Sequence, residues 1–303
     1  MRIFTSGLVA QDFYVTGPAG VPVYLLDAPR PALFDAGMTV FAHLYEDDIR
    51  AVLGDRPPAY LFITHAHFDH VGAAGYFKHI WPDLQIVASV RCGEILSRPG
   101  AIELITLLNA ASIPMAQAEG LTRMNEQPFE NVAIDAAIVD GQTFDLGAGL
   151  AVQALHAPGH TRDFMSYWIA ARGVLIASEA VGCDDGTGYI QPEFLVDIEA
   201  YLANMERFER LDFTTLCPGH KLVLTGDDAR DHLRRSPEST QRYLAMAEAF
   251  LREAKGDLDT ATARVKAAEW DPKPWPKQPE QAYMLNTRQR VLKVWERMQA
   301  GGL

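Results

Sequence analysis

The chain has 303 residues, 48% of them hydrophobic and 22% charged, which excludes wholesale disorder and provides for a sizeable core without disulfides. A net charge of −12 argues against a nucleic-acid partner, because binding by counterion release needs a basic surface. Cys92, Cys183 and Cys217 have no C-x-x-C spacing, which excludes a disulfide scaffold, a zinc ribbon and a thioredoxin-like redox pair and fits a reducing compartment. No run of 18 apolar residues is present to span a membrane, and the N-terminal stretch lacks a secretory pattern, so a cytoplasmic protein is expected. The charge is uneven. Residues 1–224 carry 13 Lys+Arg against 27 Asp+Glu, whereas residues 225–303 carry 14 against 12. That shift places the expected boundary between a main domain, 1–225, and a C-terminal segment, 226–303.

In chain order, Val21–Leu26 and Ala32–Asp35 read as strands, Phe41–Leu53 as a helix, and Ala59–Thr64 as a buried apolar strand. A loop and helix follow, then a strand over 84–89. Residues 91–128 change texture and predict a helical insertion, with segments at 94–96, 102–108 and 113–124. Strands are expected at 142–144, 150–155, 164–169, 174–177 and 214–217, with an amphipathic helix over 197–211. Beyond Asp227 the pattern is helical, with segments at 237–255, 259–268 and 278–299. His156-Ala157-Pro158-Gly159-His160 and Cys217-Pro218-Gly219-His220 both follow an apolar strand and both end in Pro-Gly-His, as two similar half-folds meeting at one site would.

The most informative stretch is His65-Ala66-His67-Phe68-Asp69-His70, four metal-competent side chains within six residues directly after a buried strand. His65 and His67 can point the same way from an extended segment, and Asp69 and His70 sit where the chain turns into a helix. Imidazoles with a carboxylate suit Zn²⁺ or another first-row metal and not Ca²⁺ or Mg²⁺. A merely solvated polar loop would not need this density of donors.

This motif after an apolar strand resembles the signature of the metallo-β-lactamase superfamily. Asp35-Ala36-Gly37, closing an early strand, resembles that family's Asp-x-Gly. The resemblance implies an αββα sandwich of the α/β class with a metal site at one edge between the sheets, here with a helical insertion and a helical C-terminal extension. It implies three further ligands in order, which fall at His160, Glu179 and His220. By that pattern His65, His67 and His160 would hold one divalent ion and Asp69, His70 and His220 a second, with residue 179 bridging. Zn and Fe are both expected candidates. The family's bridging residue is Asp, so Glu179 is a departure whose extra methylene moves the carboxylate by about 1.5 Å. Whether the site is dinuclear is therefore open.

Segments VPVYLL, FITHAHFDH, IVAS and YMLNTRQRVLKV resemble one branch of the family, the 2-aminobenzoylacetyl-CoA thioesterases. That branch implies hydrolysis of an acyl thioester by metal-activated water, with Asp69 orienting the water and taking its proton. It also implies that the insertion and residues 226–303 roof the metal cleft. Leu104, Leu107, Leu108, Ile113, Met115, Phe194, Tyr283 and Met284 are then candidates to line an acyl pocket, although packing of helices onto the core accounts for such residues equally well. The segment Tyr189–Phe194, just past Glu179, is the candidate pocket loop. Arg230, Arg234, Arg235, Arg288 and Arg290 could meet coenzyme A phosphates, with a solvated helix face as the expectation for most.

The expected partner is thus a small acyl thioester or ester, with a homodimer possible and neither nucleic acid nor membrane involved. An ester or lactone hydrolase, a regulatory or partner-binding protein with an incidental metal site, and a mononuclear-iron oxidoreductase stay open on the same ligands. His156 is expected in the core or behind a ligand. His43, His79 and His232 are expected to be solvated, and Cys183 and Cys217 to act as small buried hydrophobes.

Overall fold

The computed structural model describes residues 1–300 other than Phe4, Ala19, Glu119, Trp275, Pro276 and Pro279. The chain opens with β1 (Arg2–Ile3), then β2 (Gly7–Ala10), β3 (Phe13–Thr16), β4 (Val23–Leu26) and β5 (Ala32–Phe34), of which β2 to β5 form an antiparallel meander. Helix α1 (Ala42–Leu53), β6 (Tyr60–Phe62), α2 (Phe68–Val71), α3 (Ala74–Ile80) and β7 (Gln85–Ser89) follow, and β6 and β7 extend the sheet in parallel. The insertion forms α4 (Val90–Leu96), α5 (Pro99–Ala111) and α6 (Ile113–Ala118), after which β8 (Ala136–Ile138) closes a seven-stranded sheet. The second half adds β9 (Thr143–Gly147), β10 (Leu150–His156), β11 (Met165–Ile169) and β12 (Val174–Ile176). A small ribbon, β13 (Cys183–Asp184) with β14 (Ile190–Gln191), precedes α7 (Ile198–Glu209), β15 (Thr215–Cys217) and β16 (Val223–Thr225). The second sheet runs β1-β16-β15-β12-β11-β10-β9, so the chain's first strand completes the sheet made by its second half. Helices α8 (Asp227–Glu253), α9 (Leu258–Glu269) and α10 (Glu280–Ala300) end the described chain.

The period-two alternation of side chains builds the layers. In β4, Tyr24 and Leu26 enter the core between the sheets, whereas Val23 and Leu25 pack towards α1. In β12, Val174 and Ile176 enter the same inter-sheet core, and Leu175 packs towards α7 and α8. Three apolar cores thus separate four layers, helix–sheet–sheet–helix. Between the sheets, Phe34, Phe62 and Tyr167 lie with ring centroids 5.3–5.7 Å apart. Each fully buried aromatic contributes about 1.5–3 kcal/mol. The Tyr167 hydroxyl also donates to Ile63 O at 2.6 Å, tying the second sheet to the backbone two residues before His65.

The long strands and helices fall where the apolar periodicity puts them, with differences that have physical causes. Helix α8 begins at Asp227, ten residues before the expected start, and holds Pro237 inside it. Burial of Ala229, His232, Leu233 and Ser236 along one face carries the helix through the proline. Helix α6 stops at Ala118 and not near 124, because Leu121 N donates back to Ala116 O and closes the turn. The short strands β1, β2, β3, β8, β13, β14 and β16 have little pattern of their own and exist through pairing. His232 is buried, not solvated, and donates through Nε2 to Val181 O and Gly182 O; His156 is exposed, not in the core. Arg290 is fully buried, which corrects the solvated or phosphate-facing reading of that residue.

Candidate metal centre

The centre lies at one edge of the sandwich, on loops that leave the strands of both sheets. On the first sheet, the loop after β6 carries His65 and His67, and Asp69 and His70 lie in α2. Asp35, just past β5, organises this loop from below. Its Oδ1 accepts from Thr64 N at 2.7 Å and Thr64 Oγ1 at 2.9 Å, and its Oδ2 faces His70 Nδ1 at 2.8 Å. With its proton given to Asp35, the Thr64 hydroxyl can only accept from His65 Nδ1, 3.0 Å away. His65 Nε2 is then the unprotonated, ligand-competent nitrogen. By the same logic the carboxylate of Asp35 accepts a hydrogen bond from His70 Nδ1 and turns its Nε2 towards the centre. Between the first two histidines, Ala66 N donates to Asp163 Oδ2 at 2.8 Å, so a residue of the second half fixes the spacing of donors from the first.

On the second sheet each donor comes from a different loop. His160 follows β10, Glu179 lies in a 3-10 turn (Ser178–Val181) after β12, and His220 lies between β15 and β16. Both Pro-Gly-His turns need their glycine. A Cβ on Gly159, at φ +139°, would sit 2.7 Å from the Tyr201 backbone; one on Gly219, at φ +83°, would sit 2.8 Å from Ser178 Oγ. These close approaches bring His160 against α7 and His220 against the Glu179 turn. His160 Nδ1 donates to Glu193 O, and His220 Nδ1 to Gly20 O at 2.8 Å, so both present Nε2 to the centre. Ser178, at φ +48°, is a non-glycine residue in the left-handed region immediately before Glu179, a place where backbone strain of about 1–3 kcal/mol is held by its surroundings. Its hydroxyl donates to Glu179 Oε2 at 2.6 Å and leaves Oε1 pointing inward.

Seven donors converge. His160 Nε2 and His67 Nδ1 are 3.2 Å apart, and Glu179 Oε1 lies 2.7 Å from His70 Nε2 and 2.9 Å from His220 Nε2. Asp69 reaches to 3.9 Å from His70 Nε2 and 3.7 Å from His220 Nε2. Three sets have ligand atoms within 4.8 Å of one another: His65, His67 and His160; His65, His70 and Glu179; and Asp69, His70 and His220. Glu179 groups with one histidine from each outer set, the place a shared carboxylate occupies.

Burial, and then the neighbouring His70, hold His65 well below its usual value, and burial pulls His67 down as well and His160 to about 3. Against the effect of burial, Glu179, Asp35 and Asp69 hold His70 well above its usual value. Burial also opposes charge on His220, but its hydrogen bond to Glu179 and that group's charge raise it to about 8. Glu179 itself, despite burial, is held well below the carboxylate range by His70, His65 and His220. Five imidazoles, two of them paired with carboxylates, and the two carboxylates form a donor set for divalent cations. The residues fit such a group. His65 Nε2 is sealed from solvent with no hydrogen-bond partner among the described residues, an orphan that a cation would satisfy. Two nitrogens 3.2 Å apart also match neighbouring ligands of one tetrahedral zinc, expected about 3.3 Å apart for bonds of about 2.0–2.1 Å.

The other candidate residues are placed as follows. Tyr189 is half-buried and donates to Glu269 Oε1 at 2.8 Å. Phe194 is fully buried against Tyr201 and Tyr243, and Tyr283 is fully buried with its hydroxyl on Glu269 Oε2 at 2.6 Å. Met284 is half-buried on α10. In the insertion, Leu104 and Leu107 face solvent and Leu108 and Ile113 are half-buried; the Met115 side chain lies outside the described residues. Cys217 is buried and Cys183 half-buried. His43 is half-buried with Nδ1 2.9 Å from Tyr76 OH, and His79 is exposed. Arg234 pairs with Asp231 and Arg288 with Asp259, while Arg230 and Arg235 donate to Leu211 O and Gly188 O. Sequence reasoning missed Thr64, Asp163, Ser178 and Glu193, the residues that orient the ligands. Thr64 beside the motif, Ser178 beside Glu179 and Glu193 inside the candidate loop 189–194 each carried a local signal, and Asp163 carried none.

An αββα sandwich with a histidine- and carboxylate-lined metal centre at its edge defines a class of metalloprotein. A family model for the metallo-beta-lactamase superfamily matches residues 16–220, and the chain belongs to that superfamily. A beta-lactamase domain protein from Burkholderia ambifaria superposes with a TM-score of 0.66 at 15% identity, over 99% of this chain and 89% of that one. A metallo-beta-lactamase family protein from Thermus thermophilus gives 0.62 at 17% identity, over 92% and 89%. Among curated proteins, Diflavin flavoprotein A 1 of Synechocystis is 23% identical over 219 residues, 66% of this chain and 33% of that protein. A putative transcription factor, AvaE of Aspergillus versicolor, is 29% identical over 110 residues, 36% of this chain and 29% of that one. The chain thus spans about a third of the length of these curated relatives. Among the described residues no helix is long and apolar enough to cross a membrane.

Proposed function

We propose that the protein is a metal-dependent hydrolase that cleaves an acyl thioester, with an ester or lactone as the alternative substrate of the same chemistry. The observation that carries this reading is the orphaned, buried His65 Nε2 among seven converging donors, of which His65, His70, His160 and His220 each have Nδ1 committed to another partner. Zinc or iron bound there would supply Lewis acidity to polarise a carbonyl and lower the pKa of water. The chain's own residues do the rest. Asp35, Thr64, Glu193 O and Gly20 O fix the imidazole tautomers. Asp69 is the more exposed of the two inner carboxylates, with 17% of its side chain accessible against 5% for Glu179, and it is the group placed to take a proton from attacking water. A thiolate, with a pKa of about 8.5 for a Cys-like thiol, departs without a proton donor, whereas an alkoxide would need one.

In this proposal the half-buried Tyr189 and Met284 meet the acyl group, with Phe194 and Tyr283 packed behind them. A narrow apolar wall of this kind suits a small aromatic or medium acyl chain. The test combines metal analysis with a substrate panel on the purified protein. One to two equivalents of zinc or iron are expected, with turnover of an aromatic acyl-CoA thioester above a simple aryl ester, and a β-lactam and a phosphodiester near background. Faster turnover of the phosphodiester than of any thioester would overturn the reading.

A further inference from the structure

The segment 181–195 leaves the Glu179 turn and carries Glu193, whose carbonyl accepts from His160 Nδ1. It therefore touches the centre at both ends. The C-terminal helices take up its carbonyls with side chains. Ser236 and Ser239 of α8 donate to Val181 O and Ile190 O, each at 2.6 Å. Gln289 of α10 donates to Leu195 O at 2.9 Å, and Arg290 Nη1 to Pro192 O at 2.9 Å. Arg290 is the unusual member. Its guanidinium is fully buried, held by Glu269 Oε2 at 2.9 Å and Thr287 Oγ1 at 2.8 Å and lying over the Tyr243 ring at 4.6 Å. Apolar residues would pack two helices as well as a buried ion pair does, so packing alone does not account for a charge here. What an apolar residue could not do is hold the carbonyl next to the one that orients His160. A second path converges on the same residue: Lys273 Nζ donates to Gln191 Oε1 at 2.8 Å, and Gln191 Nε2 to Glu193 Oε1 at 2.6 Å.

We propose that Arg290 is a positioning residue of the metal centre: it fixes the Pro192–Glu193 peptide, and through Glu193 O it aims His160 Nε2 at the ion. The C-terminal helices are then part of the ligand scaffold as well as a cover.

The inference rests on the metal-centre reading, and the test separates the two. Arg290→Met/Glu269→Gln removes both buried charges together and keeps an acceptor oxygen for one of Tyr189 and Tyr283, with an amide N–H for the other hydroxyl to accept. Zinc affinity, read by competition with a chromophoric chelator, is expected to fall about 10–100-fold, the usual loss for removing support behind a ligand. The cobalt(II) absorption spectrum should change with it, while the thermal midpoint of the metal-free protein stays near the parent's. Lys273→Met, a milder change, should move zinc affinity in the same direction. Arg288→Met, on the exposed face of α10, should leave it unchanged. Parental zinc affinity in a folded double variant overturns the proposal. So does failure of both the double variant and Lys273→Met to fold, which would make the network structural only. A parent that binds no zinc, iron or cobalt would instead sink the metal-centre reading on which the proposal stands.

Discussion

The first half of the sandwich delivers four donors within residues 65–70 from one loop and the helix it enters, whereas the second half delivers three, at 160, 179 and 220, from three separate loops. The contiguous loop is braced from its own half by Asp35, acting through Thr64 and His70, with one carboxylate of the second half, Asp163, holding Ala66 N. The dispersed donors need a support each: Glu193 O behind His160, Ser178 behind Glu179, Gly20 O behind His220. Donors close in sequence share one local conformation, so they share their anchors. Donors far apart in sequence are ordered only by what packs behind each loop, and here that includes three C-terminal helices. The first half is thus nearly self-contained, borrowing Asp163 and Tyr167 from the second, whereas the second depends throughout on what packs behind each loop.

The largest expected effect strikes the first half. His67→Ala should remove metal and activity together, with at least a 100-fold (~3 kcal/mol) loss of affinity, because a three-ligand set does not survive loss of an imidazole. Full metal occupancy in that variant, measured by elemental analysis, would break the ligand assignment. Next comes remote support. Arg290→Met alone strands a buried Glu269 and should cost about 3–5 kcal/mol in urea denaturation. Its pH dependence has a defined sign. Burial pushes the Glu269 carboxyl up, but Arg290 and then Lys273 hold it below its ordinary 4.5. The contribution is therefore complete above about pH 4.5 and is lost as pH falls through the lower folded value, so the gap between parent and variant should narrow in acid.

The glycine turns sharpen the comparison further. Gly159→Ala drives a Cβ into the Tyr201 backbone and should cost about 1–3 kcal/mol, with zinc affinity falling as His160 shifts. Gly219→Ala meets only the end of the Ser178 side chain at its closest contact and should cost less. Equal, negligible effects at both positions would show that the second half tolerates displaced loops. The smallest effect is expected at the departure from the family pattern. Glu179→Asp should raise occupancy of the second ion and Glu179→Gln should lower it, as charge between the cations is kept or lost. Identical metal content in both variants would remove Glu179 from the ligand set.

The same contrast governs how much of the protein was legible in advance. The His65–His70 motif and the long strands declare themselves through local density and periodicity. The Pro-Gly-His repeat pointed to two matched turns, and the close contacts of Gly159 and Gly219 explain why glycine stands in both. The supporting residues showed far less. Asp163 lies 97 positions from Ala66 and stands in no pattern that marks it as a neighbour, while Glu193, 33 from His160, lies in the candidate loop 189–194 with no sign that its carbonyl would be the group used. His232 and Arg290 were misread because a polar side chain on a helix looks solvated until one knows which carbonyls lie opposite it.

By itself the sequence determined the layered α/β class, the order and identity of the metal-competent residues, and a helical C-terminal segment. The helices and the His65–His70 donors follow from helical period and donor chemistry within a short window, whereas the layering and the ligands at 160, 179 and 220 follow from the resemblance to the metallo-β-lactamase superfamily. Only the tertiary structure decided which imidazole nitrogen faces the centre, that Glu179 stands between two donor sets, and that α8 to α10 grip the loop behind His160. These are matters of hydrogen-bond partners brought together across many residues of chain. A buried donor or acceptor takes whichever partner the folded chain presents, and that choice is made in space and not along the sequence.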